Sequence, residues 1–217
     1  GGDVIIIAAM KAMNELNLLN NATITIYMTG DEENAGEPRS ITRGDFIERA
    51  KQHDIVLAFE GAAGFNTIAT ARRGASSWEL TVEGKQGHSS GVFGAAGYGA
   101  IYEAARIVNS FRETLSKEPY LTFNPGIFIG GSEVNANFEQ QRGEASGKTN
   151  IISPKTFVNG DLRFLTEAQK INARNAMRKI VSESLPGAKA TISFQDGIPS
   201  MAPTKGNEAL ANILSKT

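Results

Sequence analysis

At 217 residues the chain has room for one large domain or two small ones. Hydrophobic residues (41%) and charged residues (21%) sit in a globular balance that excludes a disordered tail, and 22 Lys plus Arg against 23 Asp plus Glu leave a net charge of −1. That charge gives no bulk attraction to nucleic acid or an anionic membrane, and the absence of cysteine excludes disulfides, thiolate metal sites and a cysteine nucleophile, so any metal needs carboxylate and imidazole ligands.

Ile5, Ala8, Ala9, Ala12, Leu16 and Leu19 share one helical face, which predicts an opening helix with Asp3 as its N-cap. Its apolar run, Val4 to Met10, is far short of the ~20 residues that span a bilayer, and no basic stretch precedes it. Thr23 to Thr29 is rich in β-branched residues and reads as a buried strand running into Gly30-Asp31-Glu32-Glu33. After Pro38, a short helix around Phe46 to Lys51 leads to a second buried strand, Ile55 to Phe59, which stops at Glu60-Gly61.

From Ser77 the pattern changes. Trp78, Leu80 and Val82 alternate with Glu79, Thr81 and Glu83, as in a strand with one wet face. A helix follows from about Tyr98 to Leu115, then extended segments at Tyr120–Gly130 and Thr156–Phe164 flank a polar, glycine-containing excursion. Thr166-x-x-Gln169 reads as a capping box opening a helix through Ser184, and Pro186-Gly187 precedes a last strand at Ala190–Phe194. The order β-α-β-β-α-β is that of the ferredoxin-like split βαβ plan. The expected fold class is therefore α/β, with a ferredoxin-like domain over residues 74–195 inserted into an α/β domain made of 1–73 and 196–217.

Ligands of open α/β sheets gather beyond the carboxyl ends of strands, where Asp31-Glu32-Glu33 and Glu60 fall. Adjacent glutamates there can divide their roles, one binding a cation and one holding a water as general base; the alternative is a solvated acidic turn. Glu60 after an apolar strand would need a partner or a metal to offset desolvation. His53, in a polar helix-to-strand turn, reads as a surface residue. His88, in the loop Gly84-Lys85-Gln86-Gly87-His88-Ser89-Ser90-Gly91, is placed either for function or as a helix cap, and its serine neighbours are badly placed to act as its nucleophile. Arg163 could clamp a substrate carboxylate or make a cross-strand salt bridge. The glycines do not follow phosphate-binding spacings, so nucleotide binding is unsupported.

Taken together, Gly1-Gly2 opening a helix, Thr29-Gly30-Asp31-Glu32-Glu33, the strand end at Val56-Leu57-Ala58-Phe59-Glu60, and Gly84-Lys85 followed by His88-Ser89-Ser90 resemble the dizinc peptidases of the glutamate carboxypeptidase, aminoacylase and succinyl-diaminopimelate desuccinylase family. The resemblance implies a zinc-binding α/β domain interrupted by a ferredoxin-like lid that also dimerises. By position, Glu32 would be the general base, Glu33 and Glu60 ligands of the two zinc ions, and His88 the lid histidine that stabilises the oxyanion in the partner subunit's site. Asn150 and Arg163 would contact substrate, although the family's Asn-x-Ile-Pro is here Asn150-Ile151-Ile152-Ser153-Pro154. The family's His-x-Asp pair, bridging Asp and final His ligand have no counterpart here, so the sequence reads as an internal piece of the full enzyme, inactive alone. The implied function is zinc-dependent cleavage of a terminal peptide or N-acyl amide bond in a small carboxylate-bearing substrate, carboxypeptidase-like, by a homodimer without nucleic-acid or membrane partners. The rival is a non-catalytic dimerisation or ligand-binding module, and the compartment stays open.

Overall fold

The computed structural model describes residues 1–32, 36, 38–61 and 63–216, which divide into two compact units, Gly1–Thr67 and Ile68–Thr217. In the first, the 3.6-residue spacing of apolar side chains gives helix α1 (Gly2–Glu15), and two shorter helices follow, α2 (Arg39–Thr42) and α3 (Gly44–Ala50). Gly1, not Asp3, is the N-cap of α1; Asp3 lies one position inside the helix, where its charge suits the N-terminal end of the dipole.

The segments expected to be buried strands, Thr23–Thr29 and Ile55–Phe59, form no ladder among the described residues, and Ile26, Met28, Val56 and Leu57 are exposed. High β-propensity describes how a residue fits beside a neighbouring strand; with none alongside, it does not make one. The first segment is instead fastened to α3 through side chains. Beyond the helix, His53 Nδ1 donates to the Arg49 carbonyl (2.9 Å), and in the neutral imidazole Nε2 then accepts from the Thr25 hydroxyl (2.9 Å). Tyr27 donates to Asp45 Oδ2 (3.1 Å) and packs its ring on Phe46 (4.9 Å between centroids). His53 is thus a half-buried staple, not the surface residue expected.

In the second unit the elements are β1 (Gly74–Gly84), β2 (Gly87–His88), a 3₁₀ turn (Ser89–Gly91), α4 (Gly99–Leu115), β3 (Thr122–Gly131), β4 (Glu133–Asn137), β5 (Arg142–Ser146), β6 (Ile151–Ile152), β7 (Lys155–Phe164), α5 (Glu167–Ser182), β8 (Ala188–Asp196) and α6 (Lys205–Leu214). The main sheet has the order β3-β7-β1-β8, each neighbouring pair antiparallel. With α4 and α5 as crossovers, this is the ferredoxin-like β-α-β-β-α-β arrangement expected. Trp78, Leu80 and Val82 of β1 with Val158, Leu162 and Phe164 of β7 form one side of the core. Ala100, Ala104, Ile107 and Phe111 of α4, spaced three or four apart, and Ala173 and Met177 of α5 form the other. Trp78 is fixed within it: its Nε1 donates to the Asp161 carbonyl (2.9 Å), and Phe111 meets its ring edge-to-face (5.7 Å).

The capping box forms in a shifted version. Thr166 Oγ1 accepts from Gln169 N (3.1 Å), but the Gln169 side chain returns to Leu165 N (2.7 Å), one residue earlier than the usual pattern. The polar excursion is a hairpin, β4 paired with β5. At one end of the sheet the chain enters and leaves side by side: Arg72 pairs with Met201, and Ala75 N donates to the Ile198 carbonyl (2.8 Å).

Candidate active site

His88 and Asn150 are brought together by the short β2–β6 ladder, in which His88 lies opposite Ile151, and by a bond from Ser89 N to the Asn150 carbonyl (2.9 Å). His88 also caps the 3₁₀ turn. Its Nδ1 accepts from Ser90 N (3.2 Å), with the Ser90 hydroxyl a further 2.8 Å partner. An amide N–H can only donate, so Nδ1 carries a lone pair, and the neutral imidazole must bear its proton on Nε2. His88 thus forms the cap that was one of its two expected readings, and its ring is exposed. Ser90 supplies amide and hydroxyl to one ring nitrogen, which is the geometry of a cap and not of a nucleophile aligned with its base. The loop is held firmly below: Gly99, at φ +73°, has no room for a Cβ against Ile152.

Arg163 lies elsewhere. It sits on β7 opposite Ala75 and Thr122, and its Nε donates to Asp161 Oδ2 (3.1 Å). The salt bridge anticipated across strands thus forms within one strand, two residues apart, with both side chains half exposed. Lys155, at the other end of β7, is separated from β6 only by Ser153 and Pro154. Eight residues at ~3.3 Å each place Arg163 roughly 26 Å along the sheet from there. Arg73 Nη1 donates to Thr122 Oγ1 (2.9 Å), beside Arg163.

Of the acids in the first unit, Glu33 lies outside the described residues, and Glu32 and Glu60 are exposed. Exposure removes the desolvation argument for a metal on Glu60. Glu60 lines a cavity of about 350 Å³ together with Thr29, Phe46 and His53. Asp31 is held by Arg43, whose Nη1 donates to both carboxylate oxygens (2.8 and 2.9 Å) and whose Nη2 donates to the Asp31 carbonyl (3.0 Å). Among the described residues no three His, Asp or Glu side chains converge as a metal site, whereas zinc commonly takes four ligands. The described carboxylates therefore do not make a zinc site by themselves. Sequence reasoning missed Arg43 and the orienting role of Ser90; the His-x-Ser spacing could have signalled the second.

Residues 70–189 match the peptidase dimerisation domain. The chain belongs to this family of peptidases. Carboxypeptidase G2 of Pseudomonas sp. (strain RS-16) is 25% identical over 215 residues, covering 98% of this chain and 47% of the relative. The chain therefore spans about half the length of the curated relative it matches. Among solved structures, a tripeptidase from Staphylococcus aureus superposes with a TM-score of 0.54 at 19% identity, covering 86% of this chain and 46% of that one. An amidase of the hydantoinase/carbamoylase family from Burkholderia phymatum gives 0.51 at 12% identity, over 80% and 45%. These two structures speak for the fold, and the family match over residues 70–189 agrees with the family expected from the sequence.

Proposed function

We propose that the intact protein is a zinc-dependent hydrolase that cleaves a terminal peptide or N-acyl amide bond of a small carboxylate-bearing substrate, carboxypeptidase-like, as a homodimer. Glu33 and Glu60 are the metal ligands this sequence would contribute, and Glu32 is the general base. Glu32 takes the proton of the attacking water and passes it to the leaving amine. His88 donates from Nε2 to the oxyanion of the tetrahedral intermediate, Asn150 beside it donates to substrate, and Arg163 binds the substrate carboxylate.

The observation that carries this reading is the separation of Arg163 from the His88–Asn150 pair by most of the length of β7. One small substrate cannot touch both ends of one sheet, so His88 and Asn150 act from one protomer and Arg163 from the other. The lid that bridges them is residues 74–195, and a groove of about 390 Å³ between α4 and β3 suits a second copy. Val108, Phe123 and Phe128 line it, and β3 is an edge of the sheet. Pro125 and the register shift before Ile127 blunt only the first half of that edge, leaving Ile127–Gly131 to pair across a two-fold axis. Phe128→Asp should give a monomer in sedimentation with the far-ultraviolet circular dichroism unchanged; a dimer would refute this surface.

Turnover is tested with N-acyl amino acids and dipeptides on the intact protein. Glu32→Gln should lower kcat by about a hundredfold or more while leaving the dimer intact. Absence of turnover by the wild-type dimer would leave the non-catalytic dimerisation or ligand-binding module as the correct reading. No described helix is long and apolar enough to cross a membrane.

A further inference from the structure

The Asp31–Arg43 contact differs from two other exposed ion pairs among the described residues of the first unit. Arg49–Asp45 and Lys51–Glu48 are local helix pairs, four and three residues apart, whose side chains are more than half exposed. Arg43 reaches across twelve residues, is 19% exposed, and grips side chain and main chain of one residue at once. Its own backbone is fixed on both sides: its N–H donates to the Arg39 carbonyl and its carbonyl accepts from Ile47 N, both at 2.9 Å. The guanidinium is thus mounted on the α2–α3 junction.

The contacts that fasten residues 25–31 fall at Thr25, held by His53 just beyond α3, at Tyr27, held by Asp45 within it, and at Asp31, held by Arg43 just before it. Helix α3 serves as the template a neighbouring strand would otherwise provide, and Arg43 supplies its last contact, one residue before Glu32. We infer that Arg43 is a positioning residue: it fixes the backbone of the acidic turn so that Glu32 is aimed at its water. This rests on the general-base role proposed for Glu32. Arg43 acts through Asp31.

The test uses Arg43→Gln, Arg43→Lys and, as a control, Lys51→Gln in the intact protein, with backbone amide order parameters measured at Asp31 and Glu32 by nuclear magnetic resonance and with steady-state kinetics. Arg43→Gln should lower the order parameters at those two amides from the rigid range of ~0.85 to below ~0.6 and lower kcat about tenfold, with KM changed less than about twofold. Arg43→Lys should fall between, because an ammonium cannot bond both carboxylate oxygens and the carbonyl in one plane. Lys51→Gln should change neither readout. Unchanged order parameters in Arg43→Gln would overturn the inference, as would lowered order parameters with kcat preserved. Wild-type protein without turnover would refute the base assignment separately, and with it the aiming role, while the order parameters still decide whether Arg43 holds the turn.

Discussion

Glu103 is fully buried on α4, and its carboxylate accepts from Arg106 Nε (2.9 Å), Arg106 Nη2 (2.8 Å) and Leu185 N (3.1 Å). Arg106 also donates to the carbonyls of Ile180 and Glu183, so one ion pair joins α4 to the end of α5 and the turn before β8. The paired carboxylate raises the pKa of Arg106, and without it the guanidinium still stays charged, as an arginine does in any protein. Glu103→Ala leaves that cation short of its counter-charge and the Leu185 N–H without an acceptor. Removing one partner of a buried pair costs ~3–5 kcal/mol. The quarter of the Arg106 side chain that reaches solvent, and its two carbonyl acceptors, reduce the figure to about 3 kcal/mol. Trp78, the single tryptophan and part of the same core, reports unfolding of this unit directly. With a urea m-value of ~2 kcal/mol/M, the fluorescence midpoint should fall by about 1.5 M. Replacing both partners, Glu103→Met with Arg106→Met, should recover most of the loss, because two apolar groups leave no charge stranded. A Glu103→Ala midpoint within about 0.4 M of wild type would refute the reasoning, since that is under 1 kcal/mol at the same m-value.

Gly160→Ala should destabilise the same transition by about 3 kcal/mol, because a Cβ there collides with the Asn124 carbonyl and the Trp78 ring. Gly126→Ala on β3, whose Cβ would meet its nearest atoms at 3.8 and 3.9 Å, is the matched control and should be near neutral. The Asp196 carboxyl is held below the ordinary carboxylate range by its bond from Arg174 (2.5 Å), with Lys170 adding to the effect. A carboxyl with a depressed folded-state pKa contributes stability that is complete above its unfolded value, ~3.9, and is lost as pH falls through the folded value. Asp196→Asn should therefore lower the urea midpoint at pH 7, with the deficit shrinking as pH drops below about 4; a deficit unchanged at the lowest pH would contradict this. Elemental analysis of the intact protein should find close to two zinc ions per chain, and a value near zero would contradict the metal-dependent reading.

The second unit was legible because its signals are local and periodic. Trp78, Leu80 and Val82 declare a one-sided strand, and the three- and four-residue spacing from Ala100 to Phe111 declares the helix packed on it. Connecting six such elements leaves few topologies, and the ferredoxin-like one forms. The hairpin at 133–146 was hidden because its polar residues carry little alternation, and α6 because it is short and its cap, Thr204 with Asn207 N (3.1 Å), lies directly behind Pro203. In the first unit, composition suggested strands at Thr23–Thr29 and Ile55–Phe59, but ladders depend on partners that propensity does not record. Arg43 escaped notice for a related reason: a side chain that acts twelve residues away leaves no mark in local spacing. His88 lay between the two extremes, since its loop pointed to function while its tautomer became visible only with the Ser90 amide in place.

The central claim, that each complete site takes Glu32 from one subunit and His88 from the other, is tested most directly by mixing chains. Intact protein carrying Glu32→Gln and intact protein carrying His88→Ala should each be nearly inactive. After the two are unfolded and refolded together in equal amounts, half of the dimers pair one chain of each kind, and each such dimer holds one undamaged site. The account predicts recovery to about a quarter of wild-type activity, the value expected from random pairing across a two-fold axis. A mixture no more active than its components, with mixed dimers demonstrated by mass spectrometry, would contradict it.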